Sequence, residues 1–397
     1  MKFSVPTNWQ DDLIPKIKKE GVDELYGKLA SDFIGGGRPS FMLPHISRKQ
    51  VSIHIQKAHE NGLRFNYLLN ALCLDNREFT ISGQRKIHKL LDWLLDCKVD
   101  SVTVSIPYLL QLIKKQYPQF KVCISTMAEI DTAERAKYWE DLGADAITLY
   151  SPTISRNFQL LKEIKKNLKC RIQLIGNNGC LYNCPFSIYD YLISSHASQF
   201  WHESKGFMIP YCIISCRYLR LTDFINFIRA DWIRPEDIHY YEDIGIDTIK
   251  LTERSSSTGF IAKTVNAYSR RFYDGNLLDI VSPLSGENIT QQGNTVVTLF
   301  YRLRYFFRPS SINIFRLFRL LKTLPQINAY IDNRMLDGFL EYFVKGNCNL
   351  NSCQDCDYCR EVARKVVKID SSRYSIIIKQ YERILNDLLS GKIFKYI

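Results

Sequence analysis

The segment Arg171-Ile-Gln-Leu-Ile-Gly176 runs directly into Asn177-Asn-Gly-Cys-Leu-Tyr-Asn-Cys-Pro185. Its first six residues form an apolar run with the length and composition of a buried β-strand. Similar runs occur along the first 250 or so residues, and amphipathic stretches separate several of them, which is typical of a parallel sheet with helices outside. The predicted strands are Lys2–Pro6, Asp32–Gly36, Leu63–Leu69, Ser101–Ile106, Lys121–Thr126, Ala146–Tyr150, Arg171–Gly176 and Thr248–Thr252.

Stretches between the strands show helical periodicity and recognisable ends. Apolar residues recur on one face of each stretch, at the spacing of an amphipathic helix. Ser47 and Asp131 are predicted to cap helix N-termini, whereas Gly62 and Gly143 are predicted to end helices. The predicted helices are Ser47–Asn61, Arg85–Cys97 and Asp131–Leu142.

The alternation of strands and helices predicts an α/β fold. About eight strands over some 280 residues favour a (β/α)8 TIM-like barrel, and an open doubly wound sheet is the alternative. The dinucleotide-binding pattern GxGxxG does not follow the first strand. Gly35-Gly36-Gly37 lacks that spacing, so a tight turn is the better interpretation than a phosphate cradle.

The pattern changes near residue 290. We predict a barrel over residues 1–290 that carries an iron–sulfur site, and a smaller, mainly helical C-terminal domain over residues 291–397 that carries a four-cysteine metal site. Residues 299–322 mix arginines with aromatic side chains. This stretch is interpreted as a helix packed on the barrel, with a nucleic-acid-binding stripe and a membrane-surface helix as alternatives.

Composition limits the partners and the compartment. The chain has 397 residues, a net charge of +12 and twelve cysteines. The positive charge suits RNA, anionic small molecules or an anionic surface, and it is also common in basic proteomes. Neither a signal peptide nor a transmembrane segment is predicted. We therefore expect a cytoplasmic location, where paired cysteines bind metal more often than they form disulfides.

Two pairs of cysteines predict the first metal site. Cys180 and Cys184 follow the strand Arg171–Gly176, and Cys212 and Cys216 repeat the same C-x3-C spacing. Four thiolates are the number that a 4Fe–4S cluster needs, and barrel enzymes keep their chemistry at the C-terminal ends of the strands. Structural zinc and unliganded thiols are the alternatives.

A second cysteine set lies near the C-terminus. Cys348, Cys353, Cys356 and Cys359 form C-x4-C-x2-C-x2-C, which is too dense for core packing alone. A related C-x4-C-x2-C run holds the cluster of plant-type ferredoxins. We predict a second 4Fe–4S cluster here, with zinc as the alternative. The C-x3-C-x2-C signature of radical-SAM enzymes does not occur in the chain.

The chain resembles the collagenase-like peptidase family U32 from about Phe33 to Asp279. The strongest resemblance is that of Asp247–Arg254 to the family's lysine-x-x-glutamate-arginine strand. Residues Val265–Arg270 are similar to the helix that follows this strand in the family. The segments that carry the resemblance are Asp247-Thr-Ile-Lys-Leu-Thr-Glu-Arg254, Val265-Asn-Ala-Tyr-Ser-Arg270, Cys212-Ile-Ile-Ser-Cys-Arg217, Asn177–Cys180, Ser125-Thr126, Trp232–Asp237 and Gly275-Asn-Leu277. The C-terminal cysteine run is not a general family feature.

The resemblance implies a barrel with a 4Fe–4S cluster and oxygen-independent hydroxylation as the activity. The implied substrates are an RNA base, a quinone precursor or another metabolite, and prephenate is the implied oxygen donor. An anionic small-molecule co-substrate, RNA and a partner subunit of the same family are the expected partners. Catalytic roles are expected for Lys250, Glu253 and Arg254, which close the last predicted strand.

Arg38 is expected to act as a second clamp for an anionic co-substrate. For Lys250, Glu253 and Arg254 the alternative is an exposed ion pair at a strand end, and for Arg38 it is a solvated loop charge. His196 and His202 lie between the two cysteine pairs and are candidate proton donors.

Two other functions stay open at this point. One is a zinc-stabilised RNA-binding module without catalysis. The other is a peptidase, as the family name suggests, although neither HExxH nor GxSxG occurs in the chain.

Overall fold

Eight parallel strands close into a barrel in chain order in this computed structural model, because β1 pairs with both β2 and β8. The description covers residues 1–19, 21–282, 328–348, 355–369 and 371–394, with residues 313, 316 and 353. The predicted (β/α)8 TIM-like barrel is confirmed. The barrel strands are β1 (Lys2–Pro6), β2 (Val22–Gly27), β3 (Arg64–Leu69), β4 (Ser101–Val104), β5 (Lys121–Ile124), β6 (Ala146–Thr148), β7 (Arg171–Ile175) and β8 (Thr248–Lys250).

Helices connect the strands and cover the outside of the barrel. In the described part of the chain they are α1 (Leu13–Ile17), α2 (Arg48–Glu60), α3 (Ile81–Asp96), α4 (Pro107–Gln116), α5 (Ala133–Asp141), α6 (Ser151–Ile154), α7 (Phe158–Asn167), α8 (Ser187–His196), α9 (Tyr211–Thr222), α10 (Ile225–Ile228), α11 (Ile238–Ile244) and α12 (Thr258–Arg270). Short 3₁₀ turns lie at Ser40–Met42, Arg77–Phe79, Thr126–Ala128, Pro235–Asp237 and Leu277–Asp279.

The two faces of the barrel sheet differ in polarity. Alternate residues of a strand point to opposite faces, and the outward set, such as Phe3, Val5 and Leu25, is apolar and buried under the helices. The inward set is polar and pairs across neighbouring strands. The hydroxyl of Thr103, for example, donates to Asn66 Oδ1 at 2.8 Å. The polar side chains of the barrel interior are therefore satisfied by hydrogen bonds to one another.

The second strand was predicted at the wrong place. Asp32–Gly36 is a turn, in which the carboxylate of Asp32 accepts from the backbone N–H of Gly35 at 2.6 Å. The true second strand, Val22–Gly27, contains two acidic residues that break the apolar pattern. Glu24 is tolerated because it faces the barrel interior and accepts from Ser4 Oγ at 2.7 Å.

Helix ends follow the local sequence, with one correction. Ser47 caps α2 in a capping box with Gln50, and Gly62 and Gly143 have φ values of 75° and 107°, the left-handed conformation that ends a helix. Asp131 is not the cap of α5. Thr132 takes that position, because its hydroxyl accepts from the first-turn backbone.

Apolar residues between positions 329 and 367 pack into the barrel core. Apolar side chains such as Phe339 and Phe343 belong to the same hydrophobic cluster as the barrel residues. The buried guanidinium of Arg156 lies 4.9 Å from the ring of Phe339 and donates to the carbonyl oxygens of Ile228 and Ala230 at 2.6 and 2.7 Å. The elements here are β9 (Ala329–Ile331), α13 (Glu341–Val344), α14 (Tyr358–Val366), β10 (Val367–Ile369) and α15 (Ser371–Leu389), with 3₁₀ turns at Asn333–Leu336 and Lys392–Phe394.

Two features of this segment bear on the predictions. A two-stranded antiparallel sheet, β9 with β10, accompanies the expected helices. The predicted boundary at residues 290 and 291 lies outside the described residues, as does the stretch 299–322 except for residues 313 and 316, so both stay predictions. No helix among the described residues is long and apolar enough to cross a membrane.

Helix α15 packs on α9. Tyr381 and Ile384 form a small buried cluster with Ile214 and Leu221. The hydroxyl of Tyr218 also donates to Glu382 at 3.1 Å. Helix α15 therefore supports α9, the helix that carries two of the predicted ligands.

Burial of His54 predicts a pH-dependent stability. Its Nε2 atom is hydrogen-bonded to Thr7 Oγ1 at 2.8 Å, and burial lowers its pKa from 6.5 to about 4. Between pH 6.5 and pH 4, His54 is therefore protonated in the unfolded chain but not in the folded chain. Lowering the pH across this range removes about 3 kcal/mol from the free energy of unfolding.

We expect the variant His54→Gln to lose about 3 kcal/mol less than the wild type between pH 7 and pH 4. Urea unfolding across this range measures the difference. The exposed His239 serves as the control, since His239→Gln should follow the wild type. Parallel curves for His54→Gln and the wild type would contradict the assignment.

Candidate active site

The loop after β7 is anchored at its second residue, Asn177. Asn177 is fully buried. Its Oδ1 accepts from the backbone N–H of Thr252 at 2.6 Å, and its Nδ2 donates to the carbonyl of Ile280 at 3.1 Å. The backbone N–H of Ser282 donates to the Asn177 carbonyl at 2.8 Å. The loop that carries Cys180 and the loop after β8 are thereby joined at the C-terminal end of the barrel.

A buried carboxylate and a buried guanidinium hold the Cys180 loop. Asp231 accepts from the backbone N–H of Cys180 at 2.8 Å and from Asn178 Nδ2 at 2.9 Å, and burial raises its pKa to about 6. Arg220 donates to the carbonyl oxygens of Gly179 and Cys216. The cysteine loop and helix α9 are therefore tied together through Arg220.

The four predicted barrel ligands lie near one another. Cys212 and Cys216 lie one turn apart on α9, and Cys212 is buried. The pKa of Cys212 is raised to about 12 by burial and also by Asp190, Cys184 and Cys216. Burial raises the pKa of Cys180 as well, and Asp231, Cys184 and Cys216 raise it further. All four thiols are free.

The cysteines of the second set also lie near one another. Burial raises the pKa of Cys348 to about 11, and the charges of Cys359, Cys353 and Cys356 add to this effect. None of the four is fully buried. In the part of the chain that the structure describes, no three His, Cys, Asp or Glu side chains are arranged to hold a single metal ion. Ligand roles for all eight cysteines therefore stay predictions.

The cationic residues predicted for catalysis lie at the same end of the barrel. Lys250 is the last residue of β8, and its ammonium lies 4.2 Å from the ring centre of Tyr26. Burial lowers its pKa. Arg254 is buried, burial lowers its pKa to about 10, and its Nη1 atom has no hydrogen-bond partner. A buried guanidinium nitrogen without a partner is costly and suits an anion.

Glu253 is held in a strained conformation between these residues. Its φ is 96°, which a non-glycine residue rarely adopts. Its carboxylate accepts from the hydroxyls of Ser255 and Ser282, and Arg38 Nη2 lies 3.7 Å away. Burial would raise the pKa of Glu253, but Arg38 and the two hydroxyls hold it below its usual value. The ionised carboxylate of Glu253 therefore orients the side chain of Arg38.

Arg38 connects the cationic residues with the cysteines. Its side chain is 35% exposed. Burial would lower its pKa, but the charges of Glu253, Asp190, Tyr26 and Cys180 raise it. The N–H of Gly36, which precedes it, donates to Ser198 Oγ at 2.6 Å and is therefore not available to bind a phosphate.

Some residues of the site were not found from the sequence. Asp190 lies beside Cys212 and Arg38, its Oδ1 has no hydrogen-bond partner, and burial raises its pKa. Two predicted proton donors, His196 and His202, stack on each other with ring centres 4.2 Å apart. In the sequence, nothing distinguishes a buried polar residue on a helix, such as Asp190, from a polar residue on the surface.

Comparisons of the sequence with a family model and with related proteins point to one family. The sequence model of peptidase family U32 matches residues 42–279. An uncharacterized protease of Methanocaldococcus jannaschii is 29% identical over 354 residues, which are 89% of this chain and 91% of that relative. The tRNA hydroxylation protein P1 of Bacillus subtilis is 22% identical over 191 residues, 44% of this chain and 43% of that protein.

Among solved structures, a U32 peptidase aligns with a TM-score of 0.48 and 19% identity, covering 64% of this chain and 93% of that one. The family model spans well over half of the 397 residues. The expected resemblance is confirmed, and the chain belongs to peptidase family U32.

Proposed function

We propose that this protein is an iron–sulfur enzyme that hydroxylates, or modifies in a related way, an RNA base, a quinone precursor or another metabolite without using molecular oxygen. The observation that supports this proposal is that four cysteines from two separate elements lie near enough for their charges to act on one another. Cys180 and Cys184 come from the loop after β7, and Cys212 and Cys216 come from α9. They lie near the cationic side chain of Arg38, because the charge of Cys180 acts on its pKa.

The donor set fits a 4Fe–4S cluster. Four thiols outside any disulfide match its ligand requirement. Each cysteine of such a cube binds a different iron, so the sulfurs need not converge on one point as zinc ligands do. When bound, the cluster would supply single electrons, or a Lewis-acidic iron if one cysteine stays unligated.

The buried cationic side chains at this end of the barrel suit an anionic co-substrate. The unpartnered Nη1 of Arg254 and the ammonium of Lys250 would bind carboxylates. Glu253 holds Arg38 in place as a further clamp. Lys28 adds buried positive charge, although its ammonium is already paired with Asp32 at 3.0 Å.

Prephenate, which carries two carboxylates and a hydroxyl group, is the proposed oxygen donor. In a balanced transfer the donor would lose its hydroxyl and gain a hydrogen, while the substrate would lose a hydrogen and gain the hydroxyl. Two electrons thus pass from substrate to donor, and no external oxidant is needed. The lowered pKa of Lys250 makes its ammonium a readier proton donor.

An RNA base is the first substrate to test. The Bacillus subtilis relative is named for tRNA hydroxylation, and the net charge of +12 favours a polyanion. The peptidase interpretation rests on names alone, since neither HExxH nor GxSxG occurs in the sequence. In a reducing cytoplasm, the proposed location, the thiols would stay available for the metal.

Removal of two barrel cysteines tests the metal centre. We expect the variant Cys184→Ser/Cys216→Ser to lose about four irons per chain, with the matching visible absorbance, because a cube that has lost two of its four ligands is not retained. Iron analysis and absorption spectra of anaerobically reconstituted protein provide the measurement.

The control is Cys97→Ser, because Cys97 ends α3 away from the site. A wild-type chain that reconstitutes with zinc and stays colourless would support the RNA-binding alternative instead. Equal iron in the double variant and the wild type would show that these cysteines are not ligands.

Loss of the unpartnered guanidinium tests the anion pocket. We expect Arg254→Gln to weaken prephenate binding by roughly 10- to 100-fold, since hydrogen bonds to charged groups contribute about 1.5–3 kcal/mol. Anaerobic isothermal titration calorimetry measures this. Arg135→Gln removes an exposed arginine of α5 and should leave the affinity unchanged. Equal affinity in both variants would rule out Arg254 as a carboxylate ligand.

A further inference from the structure

The turn Gly35-Gly36-Gly37 is fixed on one side by residues 197–206, the segment after α8. Ser198 is fully buried, and its Oγ atom accepts from the backbone N–H of Gly36 at 2.6 Å. The same hydroxyl lies 2.9 Å from the carbonyl oxygen of Gly36 and 2.7 Å from that of Ser195, and it can donate its one proton to either. One side chain is thus within hydrogen-bond distance of both polar groups of the Gly36 backbone.

Gln199 holds the residues that lead into the turn. Its side chain is completely buried, and its Nε2 atom donates to the carbonyl oxygens of Ile34 at 3.0 Å and Cys73 at 2.7 Å. The backbone N–H of the next residue, Phe200, donates to the carbonyl oxygen of Asp32 at 3.2 Å. The chain that enters the turn is therefore bound to the segment after α8 through both side-chain and backbone hydrogen bonds.

The chain that leaves the turn is held by the same segment. The backbone N–H of Ser40 donates to the carbonyl oxygen of Ala197 at 2.9 Å, and the hydroxyl of Ser40 donates to the same oxygen at 3.1 Å. The N–H of Phe41 donates to the carbonyl oxygen of Gly206 at 3.2 Å. Arg38 therefore lies on a short loop whose two ends are both hydrogen-bonded to the segment after α8.

The opposite face of the turn packs against side chains that follow β3 and β5. A Cβ atom at Gly36 would lie 2.6 Å from Asn70 Oδ1, and one at Gly37 would lie 2.6 Å from Met127 Sδ, distances that real Cβ atoms essentially never show. Asn70 is itself held in place, because its Nδ2 atom donates to Ser125 Oγ at 3.1 Å. This close approach accounts for the run of glycines, and it leaves the turn enclosed from two sides.

The side chain of Arg38 makes only long contacts of its own. Its Nη1 atom donates to the carbonyl oxygen of Gly37 at 3.3 Å, and its Nη2 atom lies 3.7 Å from the carboxylate of Glu253. Contacts of this length constrain a side chain weakly. The place of the guanidinium opposite the loop after β8 therefore depends on the backbone of the turn from which it projects.

Helix α8 joins this arrangement to the first cysteine loop. The helix begins at Ser187, whose hydroxyl lies 3.2 Å from the carbonyl oxygen of Cys184, and it ends at His196, directly before the segment that holds the turn. Its ten residues span about 15 Å of helix. One continuous helix therefore sets the distance between the loop of Cys184 and the turn that carries Arg38.

We propose that Ser198 and Gln199 are positioning residues, which hold the glycine turn so that the guanidinium of Arg38 faces the anionic co-substrate. This inference rests on the proposed function, because Arg38 is the proposed clamp. Both side chains are buried and bond to the backbone of residues 34–36, so they act through Arg38 and not by contact with the co-substrate. A change at Ser198 therefore affects anion binding only while Arg38 is present.

A double-mutant cycle separates positioning from general support of the structure. We expect Arg38→Gln to weaken prephenate binding roughly tenfold or more, because a charged ligand group is lost. Ser198→Ala should weaken it roughly 3- to 10-fold, because the turn loses one hydrogen bond and Arg38 is less well held. In the Arg38→Gln background, Ser198→Ala should have no further effect. Anaerobic isothermal titration calorimetry of the full-length chain measures all four affinities.

The matched control is Ser101→Ala, which removes the hydroxyl of another buried serine at the first residue of β4, at the opposite end of the barrel. This variant should bind prephenate like the wild type. If circular dichroism shows that Ser198→Ala does not fold, Gly36→Ala takes its place in the cycle, because the added Cβ displaces the turn against the amide of Asn70. It should weaken binding in the wild-type background and have no effect in the Arg38→Gln background.

Two results would overturn the positioning role. One is an equal loss of affinity with and without the guanidinium of Arg38, since Ser198 would then only support the structure. The other is wild-type affinity in Ser198→Ala while Arg38→Gln is weakened, in which case the positioning role alone fails. Failure of the proposed function looks different: prephenate does not bind to the wild type, or it binds equally well to Arg38→Gln, and the inference falls with the clamp.

Discussion

The hydrogen bonds of the Asn177 side chain are the interaction on which the rest of the site depends. They join the loop after β7 to the loop after β8, and the strands beneath are already neighbours through the pairing of Ile175 with Lys250. Closure of the barrel fixes that neighbourhood, because β8 also pairs with β1. The loop after β7, which carries Cys180, and the loop after β8, which carries Arg254, therefore follow neighbouring strands of one sheet.

The site combines charges that would be costly if each were isolated. Arg254, Lys250 and Glu253 are all buried, and burial of an unpaired charge is strongly unfavourable. Glu253 is satisfied by hydroxyl groups, whereas Arg254 keeps one nitrogen without a partner. An unsatisfied buried cation beside a strained carboxylate is the kind of feature that functional sites retain at a cost in stability.

Much of the fold was predictable because it follows from periodicity. Seven strands were predicted at or near their observed places, since their outward faces are apolar and their ends carry turn residues. The missed strand, Val22–Gly27, shows the limit of this reasoning. The interior of the barrel accepts polar side chains such as Glu24 when a cross-strand partner satisfies them, and a single sequence does not reveal such partners.

The candidate site was predictable only where the residue type is distinctive. Cysteines and a charged strand end stand out in a sequence, and the geometry of parallel strands brings their loops together. The supporting residues do not stand out. Arg220 and Asp231 act through burial and backbone hydrogen bonds, and Asp190 comes close to Arg38 only through the packing of α8. These contacts depend on tertiary structure and have no local signature.

The central claim is that a cluster held by the barrel cysteines lies next to the anion pocket. EPR spectroscopy of the reduced, anaerobically reconstituted protein, recorded with and without prephenate, tests it most directly. The account predicts a cluster signal that changes when prephenate is added to the wild type and does not change in Arg254→Gln. A signal that prephenate leaves unaltered in the wild type, or the absence of any cluster signal, would contradict the account.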